Sequence, residues 1–242
     1  MFIPISDDNS RRYRFPFVVW ALVCLNCFAW YLELMHGERF LVSYAAIPFE
    51  ITHHQDLVGT QYLPTDHGRV PLMHGPGPDP IYLTIFTSMF LHGSWMHIIG
   101  NMVYLLIFGD QIEDEMGHLK FLLFYLIAGV VACLAQVFAE PNSTLPCVGA
   151  SGAIAGVLGA YLILHPRNPV RVFVIRSIVV MPAWLVLGFW IVMQLMGHAN
   201  VRLVGSTSGV AYMAHIGGFA VGFVVSVMVR LGRRPKSGVH YW

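Results

Sequence analysis

The chain has 242 residues, of which 56% are hydrophobic and 11% are charged, and its mean hydropathy is +0.63. Soluble domains carry about 25% charged residues, so this composition excludes an ordinary water-soluble domain and indicates a multi-span protein of the lipid bilayer. The net charge of +1 provides no basic field for binding nucleic acid.

Six apolar segments are long enough to cross the roughly 30 Å hydrocarbon core as helices. The sequence therefore predicts an all-α membrane protein built as a bundle of six transmembrane helices. The predicted spans are approximately 16–35, 93–109, 118–138, 148–164, 177–197 and 209–229. The second span begins near Gly93, because the apolar run that starts at Ile81 is too long for one helix. Its first part, IYLTIFTSMFLH, is expected at the outer membrane interface.

The chain is predicted to have three parts: a polar tail at 1–15, a six-helix domain at 16–230 and a second tail at 231–242. The first tail lacks the apolar core and small-residue cleavage site of a signal peptide. A long outer loop, about 36–92, joins the first two spans and is rich in Pro, Gly and His. A connection of that length suggests a functional or packing role.

The positions of Lys and Arg predict the orientation of the spans. Eleven of the 14 basic residues fall on the side of the two termini, and only Arg39, Arg69 and Arg202 fall on the other. Because cytoplasmic loops are enriched in Lys and Arg, both termini are expected in the cytoplasm.

Polar residues within the predicted spans are candidates for function, because a polar group in hydrocarbon is costly without a partner. Ser151 lies between glycines in VGASGAIAG, at the start of the fourth span. His97 and Asn101 are four residues apart on the second span and therefore share one helix face. His215 lies at the start of the sixth span. All of these residues are predicted near the outer ends of their helices.

Glycines on the fourth and sixth spans predict how these groups meet. Small residues spaced by four let membrane helices approach closely, which would bring Ser151 within reach of His215. The alternative is that the glycines only pack helices and that Ser151 caps its own helix. The pairs are Gly152 with Gly156 on the fourth span and Gly218 with Gly222 on the sixth.

This set of residues supplies the parts needed for acyl transfer. A serine nucleophile needs a base, and a neutral imidazole is the usual one. His97, Asn101 and the backbone N–H of Ser151 are candidate donors to the oxyanion. The acidic residues lie at the cytoplasmic ends of helices or in an outer loop, so we expect a dyad of Ser151 and His215 without a carboxylate.

Other functional classes fit less well. A hydrolase elbow requires Gly where this chain has Ala153, and the zinc-protease motif H-E-x-x-H is absent. A transporter remains an alternative, since intramembrane His and Asn can relay protons, but the spans show no inverted repeat. Scattered loop histidines are more often solvated than metal-bound, so no metal or other cofactor is predicted; they are His53, His54, His67 and His74.

Three ordered motifs, GASG, HGSWMHIIGNM and AHIGGFAVG, resemble those of rhomboid intramembrane serine proteases. The resemblance covers about residues 12–232. It implies Ser151 as nucleophile, His215 as general base, and His97 and Asn101 as oxyanion donors.

The resemblance also implies structural roles near the site. His92 is expected to hold the outer loop against the second helix, and the nearby glycines, Gly149, Gly152, Gly218 and Gly222, are expected to be structural. Many family members carry a Trp-Arg pair in the first loop, where this chain has Leu83 and Thr84.

An endopeptidase is therefore expected, cutting transmembrane protein substrates near the outer face of the membrane. The six-helix core is similar to the simplest prokaryotic forms, which predicts a location in a prokaryotic plasma membrane. Rhomboid-like pseudoproteases that bind membrane proteins are the rival class; they lack the serine or the histidine, and this chain has both. The oligomeric state is left open.

Overall fold

The computed structural model describes residues 2–10, 12–65, 68–204 and 209–232, which form a mostly helical bundle with two small antiparallel sheets. Most of the predicted second tail, residues 233–242, and His67 lie outside the described residues. The elements in chain order are β1 (Phe2–Asp7), α1 (Phe17–His36), α2 (Glu38–Tyr44), α3 (Pro48–His53), β2 (Gly59–Thr65), β3 (Gly68–His74), α4 (Thr84–Thr87), α5 (Trp95–Met116), α6 (His118–Ala139), α7 (Ser151–Leu164), β4 (Pro169–Val174), β5 (Ser177–Pro182), α8 (Ala183–Val204) and α9 (Tyr212–Gly232).

Four of the described helices, α1, α6, α8 and α9, are long and apolar enough to cross a membrane. A fifth span is counted if α5 is joined to the preceding helical segment, Ile81–Phe90, from which it is bent by 76°. Helix α7 has 14 residues, and at 1.5 Å per residue it extends only about 21 Å. The predicted count of six spans is therefore not confirmed, because α7 is too short to cross about 30 Å of hydrocarbon by itself.

The expectation of an all-α protein is wrong, because the described residues also form a three-stranded and a two-stranded sheet. Strand β1, within the predicted first tail, pairs with β4, and β4 pairs with β5. Strand β5 occupies the first residues of the predicted fifth span, so α8 begins only at Ala183. The sequence RVFVIRSIVVMP is rich in β-branched residues, which favour strands, and hydropathy alone does not separate such a strand from a membrane helix.

The segment between α1 and α5 is also folded rather than irregular. It contains α2, α3 and α4 together with the hairpin of β2 and β3. Ala46 and Cys147 form an antiparallel β-bridge, and the Thr52 hydroxyl donates to the carbonyl of Pro141 at 2.7 Å. These contacts place the segment beside the chain that leads into α7.

The opposite end of the bundle is fastened by acidic residues of α5. The Glu113 carboxylate accepts the backbone N–H groups of Val18 and Val19 at 2.9 and 2.8 Å, which caps the first turn of α1. Asp110 forms an ion pair with Arg12 at 2.8 Å. The N-terminal segment therefore packs at the end of the bundle away from the β-bridge. Which end faces the cytoplasm stays a prediction.

Helix α7 lies at the centre of the bundle, where every residue from Gly152 to Tyr161 is buried. Helix α9 packs directly on it through backbone atoms. A methyl group on Gly218 would overlap the carbonyl oxygen of Gly152, and one on Gly222 would overlap that of Gly156. The two glycine faces are thus in contact, and they set the distance between the helices that carry Ser151 and His215.

Candidate active site

Ser151 is the first residue of α7 and lies within the protein because that helix is short and central. Gly149, two residues earlier, has a φ of +124°, a conformation that side-chain-bearing residues rarely adopt. A Cβ at this position would lie 2.7 Å from His97 Nε2. Glycine at 149 therefore allows both the turn into α7 and the close approach of the His97 ring.

His215 is the fourth residue of α9 and faces Ser151 across the contact between α7 and α9. Its Nε2 atom lies 2.8 Å from Ser151 Oγ, which is an ordinary hydrogen-bond distance. When Nε2 is unprotonated, the serine hydroxyl donates to it. The pair is therefore arranged as a nucleophile with an adjacent general base.

A third polar side chain, which sequence reasoning missed, completes this hydrogen-bonded chain. His215 Nδ1 lies 2.8 Å from the side-chain oxygen of Gln194 on α8. The ring of Trp190, one turn earlier on α8, lies 5.7 Å from the His215 ring between centroids. The available signal was an amide within a predicted apolar span, where polar groups are uncommon.

Helix α5 contributes His97 and Asn101 to the same region. Ser94 is the N-cap of this helix and accepts the backbone N–H of His97 at 3.2 Å. Asn101 is 7% exposed, and its Nδ2 donor has no hydrogen-bond partner among the residues that the structure describes. Both side chains line a cavity of about 1000 Å³ together with Ser151 and His215. A buried donor without a partner, in a wall of this cavity, is available to a ligand.

His92 is fully buried, and its ring lies 5.1 Å from that of His97 between centroids. Its backbone N–H donates to both oxygens of the Glu33 carboxylate, at 3.0 and 3.1 Å. Neither ring nitrogen has a side-chain hydrogen-bond partner within the described part of the chain. These hydrogen bonds therefore join the backbone before α5 to Glu33 of α1. The expected role of the His92 side chain stays a prediction.

The loop histidines are dispersed. His53 stacks on Phe49, His54 contacts the Tyr82 hydroxyl, and His74 is buried near Glu50. Within the ranges that the structure describes, no three potential ligands from His, Cys, Asp and Glu come together as a metal site.

Leu83 and Thr84 stand where many family members have a Trp-Arg pair. The Leu83 side chain is 45% exposed, and the Thr84 hydroxyl donates to the carbonyl of Ile81 at 2.6 Å. The Thr84 contact is thus a local helical one.

Comparison with known proteins finds matches to one family. A model of the Rhomboid domain matches residues 80–232. RHOMBOID-like protein 5 of Arabidopsis thaliana is 30% identical over 154 residues, which cover 64% of this chain and 45% of that protein. RHOMBOID-like protein 4 of the same plant is 36% identical over 159 residues, or 64% of this chain and 35% of that protein. Rhomboid protease GluP of Bacillus subtilis is 31% identical over 154 residues, or 64% of this chain and 27% of that protein.

The chain spans about half or less of the length of these three relatives. The domain match covers more than half of this chain and includes Ser151, His215, His97 and Asn101. With its apolar helices, this integral multi-pass membrane protein belongs to the rhomboid family.

Proposed function

We propose that this protein is an intramembrane serine endopeptidase in which Ser151 and His215 form the catalytic dyad. The observation that carries the proposal is the 2.8 Å separation of Ser151 Oγ and His215 Nε2 beside a cavity that both side chains line. Membership of a family of intramembrane proteases and similarity to a bacterial relative named a rhomboid protease support it.

The geometry supports acyl transfer in two stages. Ser151 Oγ attacks the scissile carbonyl carbon while its proton moves to His215 Nε2. His215 then gives that proton to the leaving amine as the peptide C–N bond breaks, which leaves an ester on Ser151. Water, deprotonated by His215, attacks the ester, and its proton returns through His215 to the serine oxygen.

The oxyanion formed in each stage needs donors that are already in place. Asn101 Nδ2 is buried without a described partner, which suits it to this role. Ser151 is the first residue of α7, so its backbone N–H has no acceptor within the helix. The helix dipole also favours negative charge at this end, which suits the N–H to an oxyanion. His97, packed against Gly149, is the third candidate donor.

The packing of α8 suggests how a transmembrane substrate enters. The base of α8 is held where Ala183 and Trp184 donate backbone N–H groups to the loop before β4, each at 2.9 Å. Beyond Leu187, no described side chain of α8 is fully buried, although Trp190, His198 and Val201 line the cavity. This part of α8, residues 188–204, can therefore separate from the bundle while the first turn stays attached.

A transmembrane substrate must unwind before cleavage, because its peptide carbonyls are held in backbone hydrogen bonds. The proposed cut lies in the outer part of the segment, after a small residue, with helix breakers further in. The preference for a small residue rests on family resemblance. The proposal also places both termini of this chain in the cytoplasm and thus the dyad toward the outer face.

The two rival functions are less well supported. Rhomboid-like pseudoproteases lack the serine or the histidine, whereas here both are present and in hydrogen-bond contact. A transporter requires polar groups that relay an ion across the bilayer, whereas these groups cluster near the first residues of α7 and α9.

Cleavage of a defined substrate tests the proposal. The purified protein is reconstituted in liposomes with a single-pass protein that contains Gly or Pro in its transmembrane segment, and the products are mapped by mass spectrometry. We expect one cut near the outer end of the segment, and Ser151→Ala and His215→Ala should each reduce turnover by more than about a thousandfold. Undiminished cleavage by Ser151→Ala would contradict the proposed mechanism.

A further inference from the structure

We infer that Gln194 is a positioning residue of the active site that holds His215 in the orientation and tautomer in which it acts as a base. The inference rests on the proposed function and adds a third member to the dyad. The observation behind it is a chain of two 2.8 Å hydrogen bonds, from His215 Nδ1 to Gln194 and from Ser151 to His215 Nε2.

The direction of donation in these two hydrogen bonds follows from the orientation of the Gln194 amide. The Gln194 amide nitrogen lies 3.5 Å from the Trp190 carbonyl oxygen, which can only accept, so the NH₂ group is directed there. The Gln194 oxygen then faces His215 and accepts the Nδ1 proton. Neutral imidazole carries one proton, so Nε2 is left as the acceptor for the Ser151 hydroxyl. A neutral amide thus selects the tautomer that a carboxylate selects in a catalytic triad.

The location of Gln194 on α8 gives this contact a second consequence. The part of α8 beyond Leu187 contains no fully buried described side chain, and it contacts α9 through Trp190, whose ring stacks on that of Phe219 at 6.1 Å between centroids. When this part moves away from α9, the acceptor moves away from His215 as well. His215 is therefore fully oriented only when α8 lies against the bundle, which couples closure of the cavity wall to the readiness of the base.

A matched pair of substitutions tests the role of the acceptor. Gln194→Met keeps the length of the side chain but removes the amide oxygen, whereas Gln194→Glu keeps an oxygen acceptor at the same distance. We expect Gln194→Met to reduce kcat about tenfold and to leave KM within about twofold, because one oriented hydrogen bond is lost from the catalytic step. Gln194→Glu should retain most of the wild-type kcat.

Controls separate this role from a structural one. Met193→Leu changes the neighbouring position, which is 46% exposed, and should leave kcat unchanged. The midpoint temperature of thermal unfolding, measured in detergent, should be the same for Gln194→Met and Gln194→Glu.

Wild-type kcat in Gln194→Met, or equal losses in the Met and Glu variants, would overturn the inference. These outcomes are distinct from failure of the proposed function, in which the wild type itself shows no turnover that depends on Ser151.

Discussion

Replacing Gly222 with Ala should impair catalysis from a position two helical turns away from the dyad. A Cβ on Gly222 would overlap the carbonyl oxygen of Gly156, whereas ordinary contacts of a Cβ lie at 3.4–4 Å. Because the obstructing atom is backbone, no side-chain rotation can relieve the overlap. Helices α7 and α9 must therefore separate, by about 1 Å or more.

The size of the effect follows from where Ser151 and His215 are attached. Each lies near the start of one of the two separating helices, so the gap between Ser151 Oγ and His215 Nε2 should widen from 2.8 Å to about 3.8 Å, beyond hydrogen-bond range. A misplacement of about 1 Å costs roughly a hundredfold in rate, or about 2.7 kcal/mol of transition-state stabilisation. Overpacking should also lower the free energy of unfolding by about 1–3 kcal/mol.

The assay compares kcat for a transmembrane substrate in the wild type, Gly222→Ala and a control, Gly188→Ala. Gly188 lies on α8, and a Cβ there would meet no atom within 4 Å. The control should retain wild-type kcat and thermal stability. If Gly222→Ala also retained wild-type kcat while folded, the contact between the glycine faces would not control the geometry of the dyad.

Three further predictions concern the donors, the pH dependence of stability and the substrate. Asn101→Ala should lower kcat and leave KM nearly unchanged, because an oxyanion donor acts mainly on the transition state. The loss of transition-state stabilisation should be up to about 3 kcal/mol. Burial raises the pKa of Asp7 from 3.8 to about 7, so the folded state binds this proton more tightly than the unfolded state. Stability should thus fall as pH rises from about 4 to 7, by up to about 4 kcal/mol, and Asp7→Asn should remove that part of the dependence in thermal unfolding. Replacing Gly or Pro in a substrate's transmembrane segment with Leu should slow its cleavage, because the segment then unwinds less easily.

Each of these predictions has a clear contrary result. A change confined to KM in Asn101→Ala would assign this residue to substrate binding. Identical loss of stability in the wild type and Asp7→Asn, as pH rises from about 4 to 7, would show that Asp7 is not the titrating group. Cleavage rates indifferent to the helix breakers would contradict the requirement for unwinding.

The proximity of Ser151 and His215 was predictable because it depends on local patterns. Glycines spaced by four mark the faces on which two membrane helices approach, and Gly218 and Gly222 share a face with His215. Gly152 and Gly156 of α7 form the matching face, and in the structure Gly218 packs on Gly152 and Gly222 packs on Gly156. The catalytic roles assigned to the two residues stay predictions.

Other features depend on information that hydropathy does not contain. Strand β5 is as apolar as a membrane helix, and it forms a strand because β4 and β1 pair beside it. The hydrogen bond from His215 to Gln194 depends on the rotation of α8 about its own axis. The two glycines of α8, Gly188 and Gly197, are not spaced by four, so the sequence does not mark the face that packs on α9. Hydropathy predicts a full span for the short α7 because the apolar residues before Ser151 extend the signal.

The central claim, that Ser151 is a nucleophile activated by His215, is tested most directly by reaction of the reconstituted protein with a fluorophosphonate probe. The proposed mechanism predicts a single adduct, mapped by mass spectrometry to Ser151, that is absent in Ser151→Ala and lost or strongly slowed in His215→Ala. Equal labelling of Ser88 or Ser94, or labelling of Ser151 at an unchanged rate in His215→Ala, would contradict it.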